Sequence, residues 1–183
     1  MSKTLAPAAK EAVGAAGWLR PMALPSLITL LVSGAVGAAS TVHPHQAVHD
    51  TALFVHLACL VVGFGAVLSV DWVALLWTLN RRSFADLLFA ARNAHTPIWT
   101  GYAGLVASGI LLEPDLSSPA TRVKLALVLL VGWNGALAVA IHRRLEGAGS
   151  TPRGGLLVVS SLAAVLSQIG WWGATVVGFI NAH

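Results

Sequence analysis

Residues 51–79, TALFVHLACLVVGFGAVLSVDWVALLWTL, decide the fold of this chain. The stretch is longer than the about 20 apolar residues that a helix needs to cross the hydrocarbon of a bilayer. It nevertheless contains a histidine near one end, His56, and a carboxylate farther along, Asp71. At about 1.5 Å of rise per residue, the two lie roughly 22 Å apart along one helix. An ionisable residue inside a membrane helix is a candidate functional group. The alternative is a carboxylate that only satisfies polar groups of neighbouring helices.

The composition of the whole chain also indicates an integral membrane protein. Hydrophobic residues make up 56% of the chain and charged residues 10%, whereas about 25% of the residues of a soluble domain are charged. The mean hydropathy is +0.77. The 11 Lys and Arg exceed the 7 Asp and Glu, but they fall in short loops between apolar segments and do not indicate a nucleic-acid partner. The lipid bilayer is the partner that this composition predicts.

Five apolar segments predict an all-α fold, an integral membrane bundle of five transmembrane helices that forms one domain over residues 1–183. The predicted spans cover residues 22–42, 51–79, 96–112, 123–142 and 156–180, after a cytoplasmic tail at residues 1–21. The third span is predicted to begin with Thr96 and Pro97 as N-cap and first turn, because proline is tolerated best where a helix begins.

The basic residues predict the orientation of the bundle. Nine of the 11 lie on one side, namely Lys3, Lys10, Arg20, Arg81, Arg82, Arg92, Arg143, Arg144 and Arg153. The other side holds Arg122, Lys124 and the acids Asp50, Glu113 and Asp115. Because cytoplasmic loops carry the excess of Lys and Arg, the N-terminus is predicted inside and the C-terminal His183 outside. Short loops with this bias are typical of a bacterial inner-membrane protein.

Four histidines gather at the predicted outer face, in STVHPHQAVHDTALFVH. The candidate metal ligands are His43, His45, His49, Asp50 and His56. His56 follows His49 by seven residues, which places both on one face of a helix. Imidazoles in this arrangement suit copper, zinc or nickel, with the carboxylate as a ligand or as the group that orients one. The alternative is a polar loop that is rich in histidine without binding a metal.

Two further histidines, His95 and His142, are predicted at the inner face on consecutive antiparallel helices. A pair of imidazoles at one depth is what a b-type haem with two histidine ligands requires. His142 is followed by Arg143 and Arg144, so the alternative is that both histidines lie among the lipid headgroups as interfacial residues.

Asp71 has candidate partners at its own depth. Asp71, Asn134 and Tyr102 lie nine or ten residues from the inner-side arginines of their helices, so they are expected to form a polar cluster if these helices are neighbours. Such a cluster binds a proton, an ion or a quinone headgroup, or else it is a structural hydrogen-bond node. Gln168 is predicted somewhat farther out.

Three short motifs carry a resemblance to a known family. They are His56 followed by Gly63 and Gly65, the Gly-rich stretch GYAGLVASGI from Gly101 to Ile110, and VKLALVLLVGWNG, in which Lys124 and Leu125 open a helix. Over roughly half of the chain, residues 56–142, they resemble the helical core shared by the copper-resistance D family and the HemJ-type membrane protoporphyrinogen oxidases.

The resemblance implies a helical bundle that handles haem or copper, with His56 as a ligand and Lys124 as a functional cation on the outer side. The chain departs from the oxidase pattern at two positions. Asn134 stands where that pattern has a second histidine, and Gly63 stands where it has an aromatic residue. An asparagine at this place is similar to the copper-resistance pattern and puts porphyrinogen oxidation in doubt.

Three functions therefore remain open. The first is a redox protein that binds haem b through His56 or through His95 and His142, with the Asp71 level as a proton or quinol station and a separate redox partner. The second is a protein that handles copper or another transition metal with the outer histidines. The third is a non-catalytic subunit or anchor that assembles with other membrane subunits. Whether the protein is an enzyme is left open.

Overall fold

Five long helices follow one another in the computed structural model, which describes residues 7–147 and 154–181. They are α1 Pro7–Ala39, α2 Gln46–Thr78, α3 Phe84–Gly109, α4 Pro119–Gly147 and α5 Gly154–Ile180, with a 3-10 turn at Ile110–Leu112 after α3. No strand occurs in the described residues, so the predicted all-α class is confirmed.

Three stretches of the described helices are long and apolar enough to cross a membrane: Gln46–Thr78, Pro119–Leu145 and Gly154–Ile180. Ala23–Ala39 in α1 is apolar but shorter. The coarse prediction, a protein with membrane-spanning helices, is supported by these lengths and compositions.

The first and third helices begin earlier than the predicted spans. Residues 7–21, predicted as a tail, belong to α1, while residues 1–6 and His183 lie outside the described part of the chain. The prediction that the third helix begins at Thr96 and Pro97 is wrong, because α3 begins at Phe84 and contains Pro97 in its interior. Membrane helices tolerate such a proline because other groups satisfy the freed backbone carbonyl.

A capping box fixes the true start of α3. The backbone N–H of Asp86 donates to Ser83 Oγ at 3.1 Å, and the backbone N–H of Ser83 donates to the Asp86 carboxylate at 3.0 Å. These bonds satisfy amide groups that have no partner within the helix. The bond from the Ser83 backbone also lowers the pKa of the exposed Asp86 carboxyl below its ordinary value.

The helices pack as two close pairs, α2 with α3 and α4 with α5, and α1 lies mainly against α4. All five contribute to one apolar core, whose buried residues are Ile28, Val32, Phe64, Val67, Tyr102, Val131 and Trp171. Trp171 of α5 stacks on Phe64 of α2 with ring centroids 5.6 Å apart. Many large apolar side chains remain exposed, including Phe54 and Val61 at 73%. So large an apolar surface is unusual for a soluble monomer and suits contact with lipid.

Two glycines let α2 and α3 approach backbone to backbone. A Cβ atom built on Gly101 would lie 2.5 Å from Cα of Gly63 and 2.7 Å from the carbonyl oxygen of Cys59. Small residues allow this kind of close packing between membrane helices. Because the helices are antiparallel, residues equally far from this crossing come to the same level. His56 lies seven residues before Gly63, and Ser108 lies seven residues after Gly101.

Candidate functional site

The crossing of α2 and α3 brings His56 against Ser108. The Nδ1 atom of His56 lies 2.9 Å from Ser108 Oγ. The Ser108 hydroxyl in turn donates to the carbonyl oxygen of Gly104 at 2.6 Å, within its own helix. Since the single hydroxyl hydrogen is used in that bond, Ser108 accepts from His56, and the imidazole proton is assigned to Nδ1. Nε2 then carries a lone pair. The backbone carbonyl of Leu105 is a second hydrogen-bond acceptor close to this imidazole.

Lys124 supplies a cation near this imidazole. It lies in the second turn of α4, is half-buried, and is close enough to act electrostatically on His56. Its ammonium group rests against Gly178 of α5, where an added Cβ would lie 3.4 Å from Nζ. No carboxylate forms an ion pair with Lys124 in the described part of the chain. The His56 imidazole and the Lys124 cation therefore lie at the same end of the bundle.

Asp71 lies about 22 Å along α2 from His56 and has a partner on α5. The Nε2 atom of Gln168 donates to the Asp71 carboxylate. The side chain of Gln168, predicted somewhat farther out, therefore reaches the carboxylate of Asp71. Amide donors of this kind reduce the cost of holding a carboxylate among apolar helices.

The predicted cluster of Asp71, Asn134 and Tyr102 does not form. Tyr102 donates to the backbone oxygen of Val128 at 3.1 Å, and Nδ2 of Asn134 donates to that of Ala163 at 2.8 Å. Each polar group has found a carbonyl of the adjacent helix instead of another side chain. The Asn134 Oδ1 atom is buried without a hydrogen-bond partner in the described residues.

The outer histidines are spread over separate contacts. His43 Nδ1 lies 2.8 Å from the Glu113 carboxylate, and His49 lies 3.7 Å from Asp50. His45 is the N-cap residue of α2 without a side-chain capping bond. Within the described ranges, no group of three or more His, Cys, Asp or Glu side chains is placed to hold a metal ion. The structure thus does not bring His43, His45, His49, Asp50 and His56 together.

The inner histidines belong to a different level of the bundle from His56. His95 is exposed, with its ring 6.2 Å from that of Trp99, and His142 is half-buried. The Trp99 indole lies against Gly135 of α4, where a Cβ would approach it to 3.3 Å. His95 precedes Trp99 by one turn and His142 follows Gly135 by two, so both lie toward the end of the bundle that holds the α2–α3 turn. His95 is about 20 Å along α3 from Ser108, and it therefore does not share a ligand site with His56. The bis-histidine haem site stays a prediction.

Sequence reasoning missed Ser108, Gln168 and Gly178 as neighbours of the candidate groups. The equal spacing of His56 from Gly63 and of Ser108 from Gly101 is a signal that could have found the first of them. Gln168 and Gly178 depend on how α5 packs, for which the sequence offers no comparable spacing.

The chain matches no protein-family model, no curated protein and no solved structure in the three comparisons. The resemblance to the copper-resistance D and HemJ-type families therefore stays a prediction. The fold and the site define the class as a helical protein whose apolar helices fit a membrane, with polar groups at two levels between them.

Proposed function

We propose that this is an integral membrane redox protein that binds haem b through Nε2 of His56. The observation that carries the proposal is the contact of His56 Nδ1 with Ser108 Oγ, whose hydroxyl hydrogen is used in the bond to Gly104. With the imidazole proton assigned to Nδ1, Nε2 keeps its lone pair. Metal-ligating histidines commonly donate their other ring nitrogen to such an acceptor, which fixes the tautomer and the ring orientation.

The tautomer assigned to His56 fits an iron ligand, and the charge of a nearby residue fits the anionic groups of haem. Haem carries propionate groups, and Lys124 is a half-buried cation at the same end of the bundle. When bound, haem supplies one-electron chemistry. The chain itself orients the imidazole through Ser108 and neutralises an anionic group through Lys124. The Asp71 carboxylate, which accepts from Gln168, would serve as the station for a proton or a quinol headgroup.

Copper handling by the outer histidines has less support from the geometry. His43 is paired with Glu113, and the remaining candidates do not converge. A non-catalytic subunit remains the function to consider if the purified protein carries no cofactor.

For the membrane topology we propose five spans with the N-terminus in the cytoplasm of a bacterial cell. The α2–α3 turn carries the exposed Arg81 and Arg82, and the end of α4 carries the exposed Arg143 and Arg144. The opposite end carries the acids Asp50, Glu113 and Asp115. This asymmetry supports the proposed orientation under the positive-inside rule.

An absorption spectrum of the detergent-purified protein tests the function, recorded first oxidised and then after dithionite reduction. We expect a Soret band that shifts on reduction and that is lost in His56→Ala. His49→Ala is the matched control, because it removes an imidazole two turns away on the same face of α2. Loss of the band in His95→Ala or His142→Ala, with His56→Ala unaffected, would move the haem to the inner pair. A colourless protein would overturn the haem proposal.

A further inference from the structure

The first three turns of α3 carry a surface that the proposed redox function does not use. Its Ala85, Leu88, Phe89 and Arg92 line one shallow hollow on the outside of the helix. These positions are spaced by three and four residues, so they form one face of α3. Phe89 is 61% exposed, and among the residues that the structure describes the hollow is lined by α3 alone.

Arg92 leans back over this face toward the start of the helix. Its guanidinium carbon lies 5.9 Å from the centre of the Phe89 ring. Phe89 precedes Arg92 by one turn and lies nearer the α2–α3 turn, so the side chain runs toward the arginine-rich end of the hairpin. Long cationic side chains take this course at a membrane boundary, with the stem on apolar surface and the head among polar groups.

Two further arginines stand in the turn that precedes the helix. Arg81 and Arg82 are exposed. The turn is held by backbone bonds, since the N–H of Arg81 donates to the carbonyl oxygen of Leu76 at 2.8 Å and that of Asn80 to Trp77 at 2.9 Å. The arginines are therefore presented from a structured turn rather than from a loose loop.

The nearby acid is already engaged. The Asp86 carboxylate accepts the backbone N–H of Ser83 in the capping box, and Arg82 acts on it only electrostatically. Among the residues that the structure describes, Arg81, Arg82 and Arg92 form no ion pair with a carboxylate. One guanidinium group thus lies on the apolar face and two lie in the turn before it.

We propose that this face binds an anionic phospholipid. The phosphate pairs with Arg92 and is attracted by Arg81 and Arg82, while the glycerol region covers Leu88 and Phe89. Guanidinium groups match phosphate oxygens in a bidentate geometry, and contact with the Phe89 ring holds Arg92 ready for it. A soluble phosphate would satisfy the charges but would leave the apolar face in water. The combination of exposed Phe89 with the arginines therefore favours the lipid.

Native mass spectrometry of the full-length protein tests the proposal. The protein is offered equal amounts of phosphatidylglycerol and phosphatidylcholine, and the bound fractions are compared. We expect the wild type to favour phosphatidylglycerol by about fivefold or more, the gain expected for one arginine near an anionic surface. Arg92→Gln should remove most of this preference, and Arg81→Gln/Arg82→Gln/Arg92→Gln should abolish it.

Arg122→Gln is the matched control, because Arg122 is exposed at the other end of the bundle and donates to the backbone oxygen of Ser117. It should keep the wild-type preference. Arg92→Lys keeps the charge without the bidentate geometry and should give an intermediate value, which separates recognition from misfolding. Equal preference in the wild type and the triple variant would overturn the proposal. Displacement of the lipid by free glycerol phosphate would show a soluble phosphate site and would overturn it as well.

Discussion

At the scale of single residues, Ser108 determines which nitrogen of His56 is available for chemistry. Its hydroxyl hydrogen is committed to Gly104, so the oxygen that faces the imidazole is an acceptor. Ser69 on α2 makes the same type of bond, to Gly65 at 2.8 Å, but its side chain is exposed. The two serines differ in their neighbours and not in their backbone bonding, which makes them a matched pair for mutation.

Replacing Ser108 with alanine should therefore weaken cofactor binding without disturbing α3. The imidazole loses the acceptor that fixes its tautomer, and the loss of such an orienting group typically costs about 10- to 100-fold in metal affinity. Ser69→Ala should leave the affinity unchanged. The measurement is a haem titration of the apoprotein followed at the Soret band. Equal affinities of the two variants would show that Ser108 does not orient His56.

Asp71 and Gln168 should be energetically coupled, because they form a side-chain pair between α2 and α5. Gln168→Leu removes the donor of the carboxylate, and Asp71→Leu leaves the amide without its acceptor. The two single variants should therefore together lose more free energy of unfolding than the double variant does. Coupling energies inside membrane proteins average about 0.6 kcal/mol and reach about 1.7 kcal/mol, and this pair should lie toward the upper end.

A double-mutant cycle measured by reversible unfolding in mixed micelles checks this coupling. The exposed pair Gln46 and Asp50, with a 2.8 Å bond one turn apart on α2, is the control. Water competes for that bond, so its coupling should be about 0.5 kcal/mol or less. A coupling energy of zero for Asp71 and Gln168 would show that the two side chains do not interact in the folded protein.

At the scale of helices, the sequence predicts most of the apolar segments but not how α3 begins. Thr96 and Pro97 have the residue types of a helix start, whereas the capping box of Ser83 and Asp86 directly follows two arginines, and the apolar residues 87–91 after it are too few for a membrane span. Hydropathy favours a start at Thr96 and Pro97, whereas in the structure the helix begins at the capping box. Hydropathy does not mark the end of a helix that extends past its apolar segment. The capping residues are then the sequence signal for that end.

The crossing of α2 and α3 should be sensitive to one methyl group. In Gly101→Ala the three atoms nearest to the new Cβ would be backbone atoms of Gly63 and Cys59, which cannot rotate away. The helices must separate, and overpacking of this kind costs about 1–3 kcal/mol. Gly65→Ala is the control on α2, because nothing lies within 4 Å of a Cβ at that position.

Thermal unfolding in detergent measures the difference between these variants. Gly101→Ala should lower the apparent Tm, whereas Gly65→Ala should leave it unchanged or raise it slightly, since alanine favours a helix over glycine. The separation should also move Ser108 from His56, so Gly101→Ala should weaken cofactor binding although it lies two turns away. A Tm equal to that of Gly65→Ala would contradict the close approach of the two helices.

At the scale of the whole molecule, the sequence predicts how far along the bundle a residue lies more reliably than it predicts which helices are adjacent. It places His56 and Lys124 toward one end of the bundle, and the structure brings them within electrostatic range. It fails for Asp71, Asn134 and Tyr102, because a shared depth does not determine which helices are adjacent. Because α4 pairs with α5, Asn134 donates to the carbonyl oxygen of Ala163. Asp71 on α2 instead accepts from Gln168 of α5. The position of a residue along its helix follows from counting residues. The order of the helices around the bundle depends on their packing, which no local sequence pattern encodes.

The contacts between loops show which loops and helix ends share one end of the bundle. His43 pairs with Glu113 across two loops, and Asn181 at the end of α5 lies 3.5 Å from Thr121 in the first turn of α4. The α1–α2 loop, the start of α4 and the end of α5 therefore share one end of the bundle. The α2–α3 turn lies at the opposite end, since α2 runs the length of the molecule between them.

Cysteine labelling in intact cells tests which of these ends faces outward. In a Cys59→Ala background, Leu116→Cys and Asn181→Cys should react with a membrane-impermeant maleimide, because both exposed positions belong to the end proposed to lie outside. Ala85→Cys, exposed at the arginine-rich end, should react only after the cells are permeabilised. Labelling of Ala85→Cys alone would reverse the orientation. Labelling of Leu116→Cys without Asn181→Cys would contradict the structure, which places Asn181 beside Ser118 and Thr121 at the same end as Leu116, and would indicate that α5 does not cross the membrane.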